Sequence, residues 1–474
     1  MSTTEKQRAR RVVQDTKGAS YQLVEEMSRG GQGIVYRTNH PQVLVKGLKN
    51  KDEHGREIKD VQAIQRWREH IEWLTRQDFG ALKLARPLIL LAPPRNGYVM
   101  ELMDGLVSLE SVLNSFLEAG EESAKDYLKQ GGLRRRLRIL GQLARTLNQL
   151  HARGMLYGDL SPANIFVSDD PAHAETWLID CDNISLEAHR GLTLHTVDYG
   201  APEVVRGEKL LCSLTDCWSF AVIAYQLLTH NHPFKGDMVN DGEPEDEEAA
   251  LRGEYPWIND NDDFDNECSS NLPIHLVENS RLSELFHRCF EEGLKNPVER
   301  PTMAEWLEAL TECDERLVRC ANCGAHNLLP ADFNEDGSQE CFFCPSELDD
   351  SLVLFEEFIV PAAEGAATKN PDEWIATGRK VVLQSGDGRE LKRLMPTFSY
   401  DRWPGDHLQV EYSENGLGIR PLPDGALHLQ RGNTVKQLER YQGLKESLRG
   451  KHDAPYWIHV GELDQQHIVW QFRW

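Results

Sequence analysis

Asp159 and Asn164 stand five residues apart in YGDLSPANIFV, just before an apolar run with the texture of a strand. A carboxylate and a side-chain amide facing one cleft offer the hard oxygen donors that magnesium prefers and commonly shares with phosphates. Earlier in the chain, SRGGQGIVYR carries Gly30, Gly31 and Gly33. Glycines there let backbone N–H groups approach phosphates without interference from a Cβ. Lys46 comes near the end of the apolar run VLVKG, 13 residues after Gly33. From that position an ammonium can reach back to α- and β-phosphates and offset their charge. Four cysteines form a second constellation. Cys320-x2-Cys323 and Cys341-x2-Cys344 are two hooks with 17 residues between them. Two such hooks set four thiolates around one ion in a closed tetrahedral site, which points to structural zinc. Iron in an S4 site is the alternative, and His326 is a spare nitrogen donor.

The elements around these residues follow from periodicity. From about residue 20 the strand-like runs YQLVEEM, IVYR and VLVKGL flank the glycine turn, and Val35 is suited to packing over an adenine ring. The charged stretch KDVQAIQRWREHIEWLTRQ reads as a helix, and LARPLILL and GYVMELM as further apolar runs. The chain to about residue 312 is then mainly helical in period. LRRRLRILGQLARTLNQLHARG places Leu133, Leu137, Leu140, Ala144, Leu147 and Leu150 along one face. A small β-rich lobe before a larger helical one predicts a ligand cleft between them. After residue 350 the texture turns to short alternating runs broken by turns, which predicts an antiparallel sandwich or barrel.

Composition bounds the functions. A chain of 474 residues exceeds one ordinary core and predicts several domains. Lys and Arg number 52 against 76 Asp and Glu, a net charge of −24 that argues against general binding to nucleic-acid phosphates. Residues 237–267 hold 13 of the acidic residues with Arg252 as the one base, the composition of a solvated, partly disordered insertion or of a docking surface for a basic partner. The start, MSTTEKQRARR, lacks an apolar h-region and no uncharged stretch approaches a membrane span, so a cytoplasmic protein is expected.

With these residues in place, the stretch from about 20 to 312 resembles protein kinases. The resemblance makes Asp159 the acceptor of the substrate hydroxyl proton, and Asn164 and Asp180 of TWLIDCDN the magnesium ligands, with Asp182 as the fallback for Asp180. Lys46 becomes the phosphate-binding lysine, and ATP is held by Gly30, Gly31, Gly33 and Val35. YVMELMDG resembles a hinge, with Met100 as gatekeeper and the backbone of Glu101 to Met103 on the adenine. HTVDYGAPEVV supplies Thr196, typical of Ser/Thr kinases, then Tyr199 and Ala201-Pro202-Glu203. LTDCWSF brings Asp216 and Trp218, and Arg300 is the expected ion-pair partner of Glu203. Departures are Ser28 at the first glycine position, Tyr157-Gly158 for His-Arg, Ser161 for the usual Lys, and Asp-Cys-Asp for Asp-Phe-Gly. Among Glu57, Glu69 and Glu72 as partners of Lys46, Glu69 is preferred.

The fold class implied is multidomain, an α+β two-lobed kinase-like fold followed by a small zinc ribbon and an all-β sandwich. The boundaries are a basic tail over 1–19, the kinase-like domain over 20–314 with an acidic insertion at 237–270, the ribbon over 315–350, and the sandwich over 351–474. The sandwich resembles a worn forkhead-associated module. A ribbon of this size has too little core of its own, so the metal is expected to order it. The arrangement is similar to bacterial Ser/Thr kinases of tellurite-resistance and stress clusters, whose partners are a von Willebrand-type protein and a phosphatase. Non-RD Ser/Thr protein kinase activity with ATP and magnesium is the function implied. The rival is a pseudokinase scaffold, for which Ser28, Ser161 and Asp-Cys-Asp argue.

Overall fold

The computed structural model describes residues 12–29, 33–48, 60–119, 123–187, 196–269, 277, 280–333, 339–348, 351–361, 371–392, 407–421, 427–451 and 453–474. The chain divides into two compact units, one of residues 1–115 with 149–223, the other of 116–148 with 224–474.

The first unit is built on a six-stranded antiparallel sheet. Its strands are β1 (Val12–Gln14), β2 (Ser20–Arg29), β3 (Gly33–Thr38), β4 (Val43–Leu48), β5 (Ile89–Leu90) and β6 (Gly97–Glu101), in the order β1-β2-β3-β4-β6-β5. Val13, Val45, Leu91 and Val99 form a buried cluster of this unit. β1 lies inside the segment expected to be a basic tail. Alternation explains the difference, since Val13 is buried while Val12 and Gln14 face outward. Helix α1 (Val61–Thr75) starts where the Asp60 side chain accepts the Ala63 N–H at 2.9 Å, and it buries Ile71 and Leu74. Short strands then frame the loops: β7 (Leu106–Ser108), β9 (Ile165–Ser168) and β10 (Thr176–Leu178) form one small sheet, β8 (Met155–Leu156) and β11 (Ser185–Leu186) another.

In the second unit, Tyr225 meets Trp257, Phe286 and Phe290 edge to face, and Trp257–Phe290 and Phe286–Trp306 pack tilted, at centroid distances of 5.0 to 6.2 Å. Trp257 belongs to the acidic insertion, which is ordered where it is described. Its helix Pro244–Leu251 carries a capping box between Glu243 and Asp246. The buried Asn266 amide donates to the carbonyls of Phe234 and Pro256. The acidic groups sit mostly at the surface, so the expectation of partial disorder is corrected here: an aromatic and an amide anchor the segment beneath its charges.

Helix α2 (Met303–Glu315) leads into β12 (Leu317–Arg319) and β13 (His326–Leu328), the hairpin that carries the first cysteine hook. Two antiparallel sheets follow. One orders β15 (Ile375–Leu383), β14 (Val353–Val360), β23 (His467–Phe472), β22 (Tyr456–Val460), β19 (Leu427–Arg431) and β20 (Thr434–Gln437). The other orders β16 (Gly388–Lys392), β17 (His407–Ser413), β18 (Gly416–Pro421) and β21 (Gln442–Lys445). Their inner faces share a core of Phe355, Leu408, Val410, Ile419, Ile458 and Trp470. The ribbon does not stand alone. Val318, Ala325, Leu329 and Phe333 are buried together with Leu354 of β14 and Val382 of β15. The expectation that metal alone orders it is corrected by this shared apolar core. Arg379 of β15 adds a buried junction, donating to Glu315 at the end of α2 at 2.5 and 2.8 Å and to Glu357 of β14 at 3.1 Å. No helix among the described residues is long and apolar enough to cross a membrane.

Candidate functional site

β4 places Lys46 between Val35 of β3 and Tyr98 of β6 in register. Its ammonium lies 5.9 Å from the Tyr98 ring centroid and pairs with Asp180 and, at 2.8 and 3.0 Å, with both oxygens of Asp182. Burial works against the Lys46 charge, but the Asp182 and Asp180 carboxylates overcome it and raise its pKa. Asp180 is pushed up to about 6 by burial and by the Asp182 charge, with Lys46 acting in the opposite sense. Asp182 is held below the usual carboxylate range, because Lys46 outweighs its burial.

The two carboxylates sit on one turn. Asp180 adopts the left-handed conformation at φ 55°, and Cys181–Asn183 form a 310 turn. The buried Cys181 thiol donates to the Leu178 carbonyl at 3.3 Å. Non-glycine residues pay for a left-handed backbone, so Asp180 is held there by its surroundings. The Tyr157 hydroxyl, from the unusual Tyr-Gly pair, donates to the Ile179 carbonyl just before the turn.

Asp159 lies in a loop fixed from several sides. Asn164 Nδ2 donates to the Asp159 carbonyl at 2.9 Å, and Thr196 Oγ1 donates to Asp159 Oδ1 at 2.8 Å. The backbone N–H groups of Tyr157 and Gly158 donate to the buried Asp216 carboxylate at 2.7 and 2.9 Å, and His151 Nε2 meets it at 3.1 Å. Asp216 belongs to the helix Ser213–Thr229. Gly158 has φ 89°, and a Cβ there would meet Leu156 Cδ1 at 3.1 Å, so the loop needs glycine where the resemblance has Arg.

On the nucleotide side, Gly33 and Val35 lie on β3, and Met100 and Glu101 on β6, with Met103 just after it. A Cβ on Gly33 would come within 2.8 Å of the Gly47 carbonyl, so this glycine is also required for the close approach of β4. Gly30 and Gly31 fall outside the described residues, as does Glu57. Glu69 is corrected as the partner of Lys46: it accepts from Gln65 at 2.8 Å, and Glu72 pairs with Arg76 at 2.5 Å, both at the surface. The α1 residue that reaches the site is His70, whose Nε2 lies 2.9 Å from the Asp182 carbonyl. Sequence reasoning missed this use of Asp182, although the second carboxylate was legible two residues beyond Asp180. Glu203 and Arg300 are each buried.

The cysteine site is separate. The sulfurs of Cys320, Cys323, Cys341 and Cys344 all lie within 4.8 Å of one another, with Cys320 to Cys344 at 3.7 Å and Cys323 to Cys341 at 3.6 Å. Asn327 orders the second hook, its Oδ1 accepting from Phe342 N at 2.9 Å and its Nδ2 donating to Cys341 Sγ at 3.5 Å. Four converging sulfurs on two hooks fit one tetrahedral zinc ion. His326 is not among the converging groups.

A protein kinase domain matches residues 21–310, more than half of the chain. Serine/threonine-protein kinase Pkn1 of Myxococcus xanthus is 29% identical over 230 residues, 46% of this chain and 30% of that protein. Serine/threonine-protein kinase PCRK1 of Arabidopsis thaliana is 28% identical over 208 residues, 41% of this chain and 46% of its own length. Serine/threonine-protein kinase pkn2 of Myxococcus xanthus is 32% identical over 127 residues, 25% of this chain and 15% of that protein. The chain thus spans less than half the length of each of these relatives. On the domain match, which runs through the sheet, Lys46 with its two aspartates and the Asp159 loop alike, the chain belongs to the protein kinase family.

Proposed function

We propose that the chain transfers the γ-phosphoryl group of ATP to Ser or Thr of a protein substrate. The observation that carries this reading is the fixed Asp159 carboxylate, held through Thr196 and the Asn164 amide, in the same unit as a lysine paired with two aspartates. Asp159 Oδ2 accepts the proton of the incoming hydroxyl while Thr196 orients the other oxygen. Lys46 compensates the charge of the α- and β-phosphates, and Met100 to Met103 and Val35 enclose the adenine. Asn164 spends its Nδ2 on the Asp159 carbonyl, which leaves Oδ1 to face a cation, and Asp180 supplies a carboxylate. Magnesium held by these two residues would neutralise charge on the phosphates. The Cys320, Cys323, Cys341 and Cys344 sulfurs hold structural zinc, and the ribbon and sandwich serve recognition of partners. A von Willebrand-type protein and a phosphatase in bacterial stress signalling are the partners that the sequence resemblance supports.

The test is incubation with labelled ATP, magnesium and a generic protein substrate, with Asp159→Asn as control. Transfer by the wild type, lost in the variant while ATP binding persists, supports the reading. Nucleotide binding without transfer in the wild type makes the chain a pseudokinase scaffold instead.

A further inference from the structure

A buried ammonium needs a carboxylate beside it, since a stranded charge is costly. For Lys46 the described glutamates of α1 do not supply it. Glu69 and Glu72 are engaged with Gln65 and Arg76 at the surface. The two aspartates of the Asp-Cys-Asp turn meet the ammonium instead, and they are not equivalent. Asp182 presents both oxygens to Lys46, and its side chain keeps only 4% exposure against 8% for Lys46. The Asp180 side chain remains 27% exposed. One aspartate is enclosed with the lysine; the other keeps an open side.

From this division we infer that Asp182 is the positioning residue for Lys46, the ion-pair partner that holds the ammonium in place for the phosphates. Asp180 is thereby left to the metal. The inference rests on the phosphotransfer reading and deepens it by giving Asp182 a role, where that reading records only its pairing. It also gives a reason for the altered motif. The partner of the lysine and the metal-binding carboxylate share one three-residue turn, braced by the buried Cys181 thiol. Helix α1 touches that turn through His70 and a main-chain carbonyl, a contact that carries no countercharge for Lys46. Displacing α1 would therefore leave the Lys46–Asp182 pair standing.

The experiment measures affinity for a fluorescent ATP analogue with magnesium, which requires no turnover, and alongside it KM for ATP and kcat. Asp182→Asn is expected to weaken nucleotide binding at least tenfold and to raise KM more than it lowers kcat. Asp182→Glu should recover a substantial part of that loss, a rescue that a merely structural role would not give. Glu69→Gln and Glu72→Gln should stay within twofold of wild type. If Asp182→Asn fails to fold, as judged by thermal melting, Asp182→Glu is paired with Glu57→Gln, and labelling of Lys46 by an acyl-phosphate ATP analogue is compared between them. Binding within twofold of wild type for Asp182→Asn, or an equal loss in a glutamate variant, overturns the assignment. A wild type that binds ATP without transferring phosphate sinks the phosphotransfer reading, while the binding measurements still decide the role of Asp182.

Discussion

Replacing Arg379 by Ala should cost the second unit several kcal/mol, and the reason lies in what is left behind. The Arg379 side chain is 5% exposed and joins Glu315 and Glu357, themselves 10% and 7% exposed. It also lies 5.0 Å from the Trp470 ring centroid. Removing one partner of a buried ion pair typically costs about 3–5 kcal/mol, because the remaining charge has neither water nor counterion. Here two carboxylates lose their cation at once, and the guanidinium contact with Trp470 adds about 1 kcal/mol. A loss of about 5 kcal/mol at pH 7 follows from these two contributions. The defect should depend on pH. Burial already raises the Glu357 pKa despite Arg379, and without the cation its carboxylate binds a proton more tightly folded than unfolded. Stability of the variant then falls as pH rises through that folded-state value, so the defect shrinks on acidification toward pH 5. Hydrogen exchange followed by mass spectrometry, on peptides from β14, β15 and the end of α2, reads this locally. At about 1.4 kcal/mol per tenfold, a loss of about 5 kcal/mol should accelerate exchange through opening by between about three and four powers of ten. The triple variant Arg379→Met, Glu315→Leu, Glu357→Leu strands no charge and should recover most of the loss. An acceleration below tenfold, or a defect equal at pH 5 and pH 8, would refute the reasoning.

Gly158→Arg, which restores the usual residue, should destabilise the loop by about 1–2 kcal/mol because the backbone is left-handed there; thermal melting and a transfer assay should both show a loss. For the same reason no phosphate-sensing Arg follows Tyr157, so phosphatase treatment should leave the rate of phosphate transfer within twofold. Elemental analysis should find one zinc per chain, absent in Cys341→Ser, and hydrogen exchange should show the ribbon loosened while its contacts with Leu354 and Val382 keep β14 and β15 protected. His459, pushed down to about 3 by burial and by His467, is neutral in the folded sandwich. The unfolded form takes up a proton below about pH 6.5 and the folded form does not, so stability should fall by up to about 1.4 kcal/mol per pH unit as acid is added. His459→Gln should flatten that slope in urea titrations monitored by tryptophan fluorescence.

The sequence by itself determined the residues that local spacing ties together. Two Cys-x2-Cys hooks converge because each is a short turn, and the Asp159–Asn164 spacing survives because both belong to one loop. Alternation also determined the strands of the sandwich, since a period of two leaves Leu427, Leu429, Ile458 and Val460 on one face whatever lies opposite. Tertiary structure alone decided the pairings between distant segments. Lys46 could have met Glu57, Glu69 or Glu72 on periodicity alone; which carboxylate reaches it depends on where the turn after β10 lies against β4, separated by more than a hundred residues. The acidic insertion hid its order for a similar reason, because Trp257 is buried among aromatics that its own neighbourhood does not contain. The ribbon looked too small to fold without metal, and by composition it is. Its missing apolar partners are Leu354 and Val382, supplied by strands that follow it in the chain and become visible as its core only when the sheet has formed.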